Sequence, residues 1–248
     1  MHNLYLGLKF SFSYFSILPV KFKNSDDLSS KDILGSMLLF FPLVGIVLGL
    51  LTVGLFYILE ALSWYGAVIS AVTYMILYGF LHTEAVIDVA DAIYASHSGK
   101  DPYAVIKEPT VGAMGVLWAG VFLLLKIAGI IFLLMHHLFV EFISVLMVSR
   151  LTLLMLFYTQ SFKSSFAAQL KNSLTEKYLW SAFFLFGIIG LLLISIKFLA
   201  LLSIGLILAL LITLFIKSKI SFINGDVLGT TLESVEILLF ILVALLWS

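Results

Sequence analysis

The chain has 248 residues, of which 62% are hydrophobic and 11% charged; a soluble domain carries about 25% charged residues, so this composition is that of an integral membrane protein. Its formal net charge is zero and it contains no cysteine. The first fact gives no global attraction to nucleic acid, and the second excludes disulfides, thiolate nucleophiles and cysteine-ligated metals.

The opening run MHNLYLGLKFSFSYFSILPV is apolar and aromatic. It lacks a basic leading region and a small-residue cleavage site, so it reads as an interfacial or half-inserted segment rather than a removed signal. A spanning helix needs roughly 20 apolar residues. On that criterion the sequence predicts helices over 34–58, 66–92, 111–135, 138–160, 178–196, 199–216 and 228–248. No repeat or linker interrupts them. The expected fold is therefore all-α: a polytopic membrane bundle of about seven helices, with residues 1–248 in one membrane domain.

Lysines alternate along this series. Lys21, Lys23 and Lys31 precede the first helix, Lys100 and Lys107 follow the second, Lys163, Lys171 and Lys177 the fourth, and Lys217 and Lys219 the sixth. The intervening connections carry only Lys197. Basic loops stay on the cytoplasmic side, which puts the N-terminus and the loops 93–110 and 217–227 inside and the C-terminus outside.

The stretch GFLHTEAVIDVADAIYAS, 79–96, sits at the inner end of the second helix. Glu84, Asp88 and Asp91 follow an i, i+4, i+7 spacing, which gathers them within about 60° on one helix face. Three carboxylates there repel, and burying them unpaired is expensive. A divalent cation held by oxygen ligands, with water and phosphate completing its coordination, relieves that cost, and Mg²⁺ suits such ligands. A solvated helix end is the plainer alternative. His82 points to the opposite face of an ideal helix. Near the C-terminus, INGDVLGTTLESVEI (223–237) repeats the spacing at Asp226, Thr230 and Glu233. Asn224-Gly225 reads as a turn, so Asp226 is a candidate either for capping or for the same metal as Glu233; Glu236 lies further round the helix. The lysine pattern places both acid groups on one side of the membrane.

Two basic residues lie inside apolar helices, Lys126 in VFLLLKIAG and Arg150 in VLMVSRLTLL. Each costs about 2.5–3.5 kcal/mol at a helix centre on insertion scales. They pair either with buried acids such as Glu233 or with an anionic substrate, for which the Arg fork is well shaped. In KEPTVGAMG, 107–115, Pro109 suits a helix start. The amides near Gly112 and Gly115 could receive a phosphate there, or the glycines could serve close helix packing.

Taken together and in order, these stretches resemble the cobalamin synthase family, also called adenosylcobinamide-GDP ribazoletransferase. The resemblance is carried by Gly79, His82, Glu84, Asp88 and Asp91, by Lys107, Glu108, Pro109, Gly112 and Gly115, and by Asn224, Gly225, Asp226, Gly229 and Glu233. FPLVG at 41–45, Lys126, Ser149-Arg150 and LPV at 18–20 fall where the family has such residues. Glu84 and Glu108 stand where the family has aspartate, Phe80, Ala85 and Ala92 where it has glycine, and Ile17 where many members have arginine.

The resemblance implies an enzyme that transfers the phosphocobinamide group of adenosylcobinamide-GDP to a hydroxyl of α-ribazole or its 5′-phosphate, releasing GMP with Mg²⁺ as cofactor. It implies His82, Asp88 and Asp91 as catalytic residues, Glu84, Asp88, Asp91, Asp226 and Glu233 as metal ligands, and Lys107, Gly112, Lys126, Arg150 and Asn224 as substrate contacts. The expected setting is a multi-pass protein of the bacterial inner membrane with its site on the cytoplasmic face. The sequence leaves open whether the chain self-associates as a homo-oligomer. A membrane phosphotransferase with another nucleotide-diphosphate donor and a cation-coupled transporter are the competing readings.

Overall fold

Pro42 and Gly79 break two of the predicted helices. Proline has no N–H and its ring collides with the carbonyl four residues earlier, and in the computed structural model, which describes residues 2–247, the run expected at 34–58 is split at Phe40 into α2 (Lys31–Leu39) and α3 (Phe41–Ile58). Ser30 starts α2 as a cap, its hydroxyl accepting the Ile33 amide at 3.4 Å. The run expected at 66–92 is split into α4 (Trp64–Leu77) and α5 (Leu81–His97), which diverge by 77°. Gly79 and Phe80 at the break have φ of 69° and 54°. Glycine takes that left-handed conformation freely, whereas Phe80 pays about 1–2 kcal/mol for it.

The remaining spans follow hydropathy closely: α7 (Ala113–Met135), α8 (Phe139–Thr159), α10 (Glu176–Ile194), α11 (Lys197–Ile220) and α12 (Gly225–Trp247). With α3 they make six helices long and apolar enough to cross a membrane, and the bent α4–α5 pair is a seventh, broken span. Four helices lie outside that set: α1 (His2–Phe15) from the N-terminal segment, α2, α6 (Pro102–Lys107) and α9 (Ser165–Ser173). Among the described residues there is no strand, and the architecture is a polytopic helical bundle.

α8 and α12 form the axis. Of their apolar windows 78% and 72% are buried, against 22–28% for α7, α10 and α11. The outer helices present Leu117, Leu124, Phe184, Leu192 and Phe215, each more than 60% exposed. Such a surface is stable in hydrocarbon and would not be in water. α12 packs against α5, α7, α8 and α11, and α8 against α3, α10, α11 and α12. Short connections make neighbouring spans antiparallel, so the starts of α7, α10 and α12 and the ends of α8 and α11 share one end of the bundle. There the Lys163 amide donates to the Ile223 carbonyl at 2.9 Å, tying the loop after α8 to the loop before α12. Lys107, Lys163, Lys171, Lys177, Lys217 and Lys219 belong to this lysine-bearing end, and α5 is tied to it where Asp91 accepts the Gly112 amide just before α7.

Candidate active site

The bend at Gly79-Phe80 is what gives α5 two different faces. Glu84, Asp88 and Asp91 line one face, exposed or half-buried, while Val86, Val89 and Ala90 are buried on another. α12 begins beside them. Asn224 caps it: its side-chain oxygen accepts the Val227 amide at 3.0 Å, and its side-chain nitrogen donates to Asp226 Oδ2 at 2.6 Å. Thr230 Oγ1 donates to the Ala85 carbonyl at 3.0 Å. At Gly229 the helices come so close that an added Cβ would lie 2.7 Å from the Ala85 Cβ.

This packing brings Asp226 to the acid face of α5. The charges bearing on Asp88 are those of Asp226, then Glu84, then Asp91, and Glu84 also bears on Asp226. None of the four forms an ion pair with a lysine or arginine among the described residues. Among the described residues, the Glu84 and Asp88 carboxylates have no hydrogen-bond partner. The four do not close into a ready-made metal cage, since no three histidine or acidic side chains among the described residues are near enough to one another. The four present oxygen donors only, the kind that hard divalent cations take.

Asp91 has a second duty. Its two oxygens accept the amides of Gly112 at 2.6 Å and Gly115 at 2.7 Å, fastening the segment before α7 to α5. A Cβ at Gly112 would collide with that carboxylate. The expectation that these amides receive a substrate phosphate, and with it Gly112 as a substrate contact, is therefore corrected: the chain's own aspartate occupies them. Asn224 is corrected likewise. It is buried, and both ends of its amide are spent on the α12 cap and on Asp226.

For Glu233, Lys126 and Arg150 the structure takes the buried-acid alternative. All three are at most 2% exposed. Lys126 Nζ lies 2.7 Å from Glu233 Oε2 and 2.7 Å from Glu236 Oε2, and Arg150 Nη1 pairs with Glu236 Oε1. Tyr78 donates to Glu233 at 2.8 Å, Ser149 to Glu236 at 2.9 Å and Tyr74 to Glu236 at 3.3 Å. Arg150 also donates to the Leu146 carbonyl at 2.8 Å and the Tyr74 hydroxyl at 3.2 Å. Two cations and two anions thus cancel in the bundle interior, where each alone would be costly. Glu233 as a metal ligand, and Lys126 and Arg150 as substrate contacts, give way to a neutral structural network joining α4, α7, α8 and α12. Glu236 and the tyrosines were missed as members. Charge counting holds the missing signal: two basic residues in apolar helices need two acids, and Glu236 lies one turn beyond Glu233.

His82 is buried, its ring 6.0 Å from that of Tyr78 and 6.5 Å from that of Phe15. It lies away from the acid face of α5 and shares with Asp226, Tyr14 and Ser164 the lining of a cavity of about 130 Å³. Burial, and secondarily the Asp226 charge, push the Tyr14 phenol above its ordinary value, so Tyr14 stays a hydrogen-bond donor. Lys107 is exposed, its ammonium 4.2 Å from the centre of the Tyr103 ring.

Residues 7–245 match the family model described as cobalamin-5-phosphate synthase. The chain is similar to a protein of Clostridium perfringens named adenosylcobinamide-GDP ribazoletransferase, 28% identical over 247 residues that cover 95% of this chain and 96% of that one. A protein of the same name from Brevibacillus brevis is 27% identical over 243 residues, 95% of this chain and 96% of its own. Another, from Desulforamulus reducens, is 32% identical over 127 residues, 50% of this chain and 49% of that one. No solved structure matches.

Proposed function

The chain belongs to the cobalamin-5-phosphate synthase family, whose members are transferases, and from that premise we propose that it transfers the phosphocobinamide group of adenosylcobinamide-GDP to a hydroxyl of α-ribazole or α-ribazole 5′-phosphate. The new bond joins that hydroxyl oxygen to the cobinamide phosphorus. The bridging P–O bond of the diphosphate breaks, and GMP leaves with the bridging oxygen. The observation that carries this reading is the meeting of Asp226 from α12 with Glu84, Asp88 and Asp91 from α5, with no ion pair to a lysine or arginine among the described residues.

Glu84, Asp88 and Asp226 would hold Mg²⁺, with Asp91 contributing while it fixes the Gly112–Gly115 segment. Bound there, the ion would neutralise charge on the diphosphate as GMP departs. Asp88 is the better placed acceptor for the hydroxyl proton. It is half-buried and free of hydrogen bonds among the described residues, whereas His82 is turned into the protein. The acid face on the lysine-bearing end fits a site on the cytoplasmic side of a bacterial inner membrane. A transporter reading gains nothing from the geometry, because the ionisable groups deep in the bundle pair with one another instead of lining a path.

The test is GMP release by the purified protein in nanodiscs supplied with both substrates, with and without Mg²⁺. We expect release that requires the ion and both substrates, and that falls at least 100-fold in Asp88→Asn with membrane insertion intact. Release of another nucleotide, or near-wild-type turnover of Asp88→Asn, would remove the proposal.

A further inference from the structure

Two lysines, one ending α6 and one in the loop after α8, share one aromatic ring at the lysine-bearing end. Lys107 Nζ lies 4.2 Å from the centre of the Tyr103 ring, and Lys163 Nζ lies 3.9 Å from the same point. Lys163 is also 5.0 Å from the ring of Phe222, which packs edge-on against Tyr103 at 5.2 Å. The two ammonium groups are therefore no further apart than those two distances placed end to end. Both lysines are exposed, and neither makes an ion pair among the described residues. Ring faces attract cations, but two like charges held so near still repel, and an anion between them relieves the repulsion.

Their position ties them to the carboxylates. Lys107 ends α6 and stands five residues before Gly112, whose amide holds Asp91. Lys163 is joined through its own amide to Ile223, next to the Asn224 cap that holds Asp226. Each lysine is thus mounted on the backbone segment that positions one of the acids. A diphosphate bridging a metal-binding patch and a cationic patch needs this pairing: one end is neutralised by the ion and the other by fixed positive charge.

Building on the function proposed above, we propose that Lys163 and Lys107 form a binding site for the phosphate of the leaving nucleotide, with the Tyr103 and Phe222 rings as their support. Lys107 belongs to a stretch shared with the family; Lys163 carried no signal in the sequence beyond its charge.

The experiment compares Lys163→Ala, Lys107→Ala, the double variant and Lys163→Arg in phosphatidylcholine nanodiscs, free of anionic lipid. It reads kcat, the KM for adenosylcobinamide-GDP, and inhibition by GMP and by guanosine. A charge-assisted phosphate contact is worth about 1.5–3 kcal/mol, so each alanine variant should raise the donor KM at least tenfold. GMP should lose its advantage over guanosine as an inhibitor, and Lys163→Arg should recover most of it. A merely structural role would not alter that discrimination between GMP and guanosine. Unchanged KM and unchanged GMP inhibition in the double variant overturn the inference while leaving the function standing. So does an effect that appears only when phosphatidylglycerol is present, because the lysines would then be reading lipid headgroups. If the wild-type protein releases no GMP, the proposed function falls and the inference falls with it.

Discussion

Glu236→Gln should unsettle the bundle more than its small change in shape suggests. Glu236 is fully buried and receives Lys126, Arg150, Ser149 and Tyr74. The amide keeps the volume but removes a charge, leaving Arg150 without an anionic partner and Lys126 with Glu233 alone. Breaking a buried ion pair by removing one partner costs about 3–5 kcal/mol. For a chain of this length each kcal/mol moves the melting temperature by about 2–4 °C, so the midpoint should fall by roughly 6–20 °C. Arg150→Met combined with Glu236→Gln removes one charge of each sign and leaves Lys126 paired with Glu233. That double variant should recover more than half the loss, although each single change is severe. Thermal unfolding in a mild detergent, arranged as a double-mutant cycle, measures the coupling directly. Two results would refute the reasoning: a Glu236→Gln midpoint within about 2 °C of wild type, or losses that simply add in the double variant.

Gly112→Ala drives a methyl group into the Asp91 carboxylate; GMP release should drop at least tenfold, with little change in melting temperature because the site is peripheral to the buried network. Gly229→Ala sets its Cβ 2.7 Å from that of Ala85, an overpacking that costs about 1–3 kcal/mol; Ala85→Gly in the same chain should restore both the midpoint and the activity, read by thermal unfolding and turnover. Chelation of divalent ions should abolish GMP release and leave the midpoint within a few degrees, since the internal ion pairs carry the bundle without a metal; a large drop on chelation would contradict the division between site and core.

Apolar run length located six of the spans, because transfer to hydrocarbon depends on composition averaged over a helix. It could not locate the turns that bend them. Pro42 and Gly79 each mark a break, yet a single such residue is also tolerated inside a membrane helix, so run length alone joined 34–58 and 66–92. α6 and α9 are too short and too polar to register. The acid face was legible from the 3.6-residue period, and its meeting with Asp226 from the shared side of the lysine pattern. What a carboxylate faces was not: the same i, i+7 spacing relates Asp226 to a surface patch and Glu233 to a sealed ion pair, because about two turns of depth separate water from the interior. Asp91 shows the same limit, since its hold on Gly112 and Gly115 depends on a loop returning across α5. Two departures from the family pattern, Glu84 for aspartate and Ala85 for glycine, fall at an exposed position and at the tight contact beside Gly229.

Both acids of the internal network stand on α12, whereas Lys126 and Arg150 stand on α7 and α8, which precede it in the chain and leave the ribosome before it. During synthesis the two bases must wait in the bilayer, or at its edge, without their counter-charges. A nascent chain halted before residue 225 would hold both cations without either acid. Insertion of α12 therefore cancels the buried charge and delivers Asp226 in the same movement, so one helix couples the settling of the interior to the completion of the acid patch.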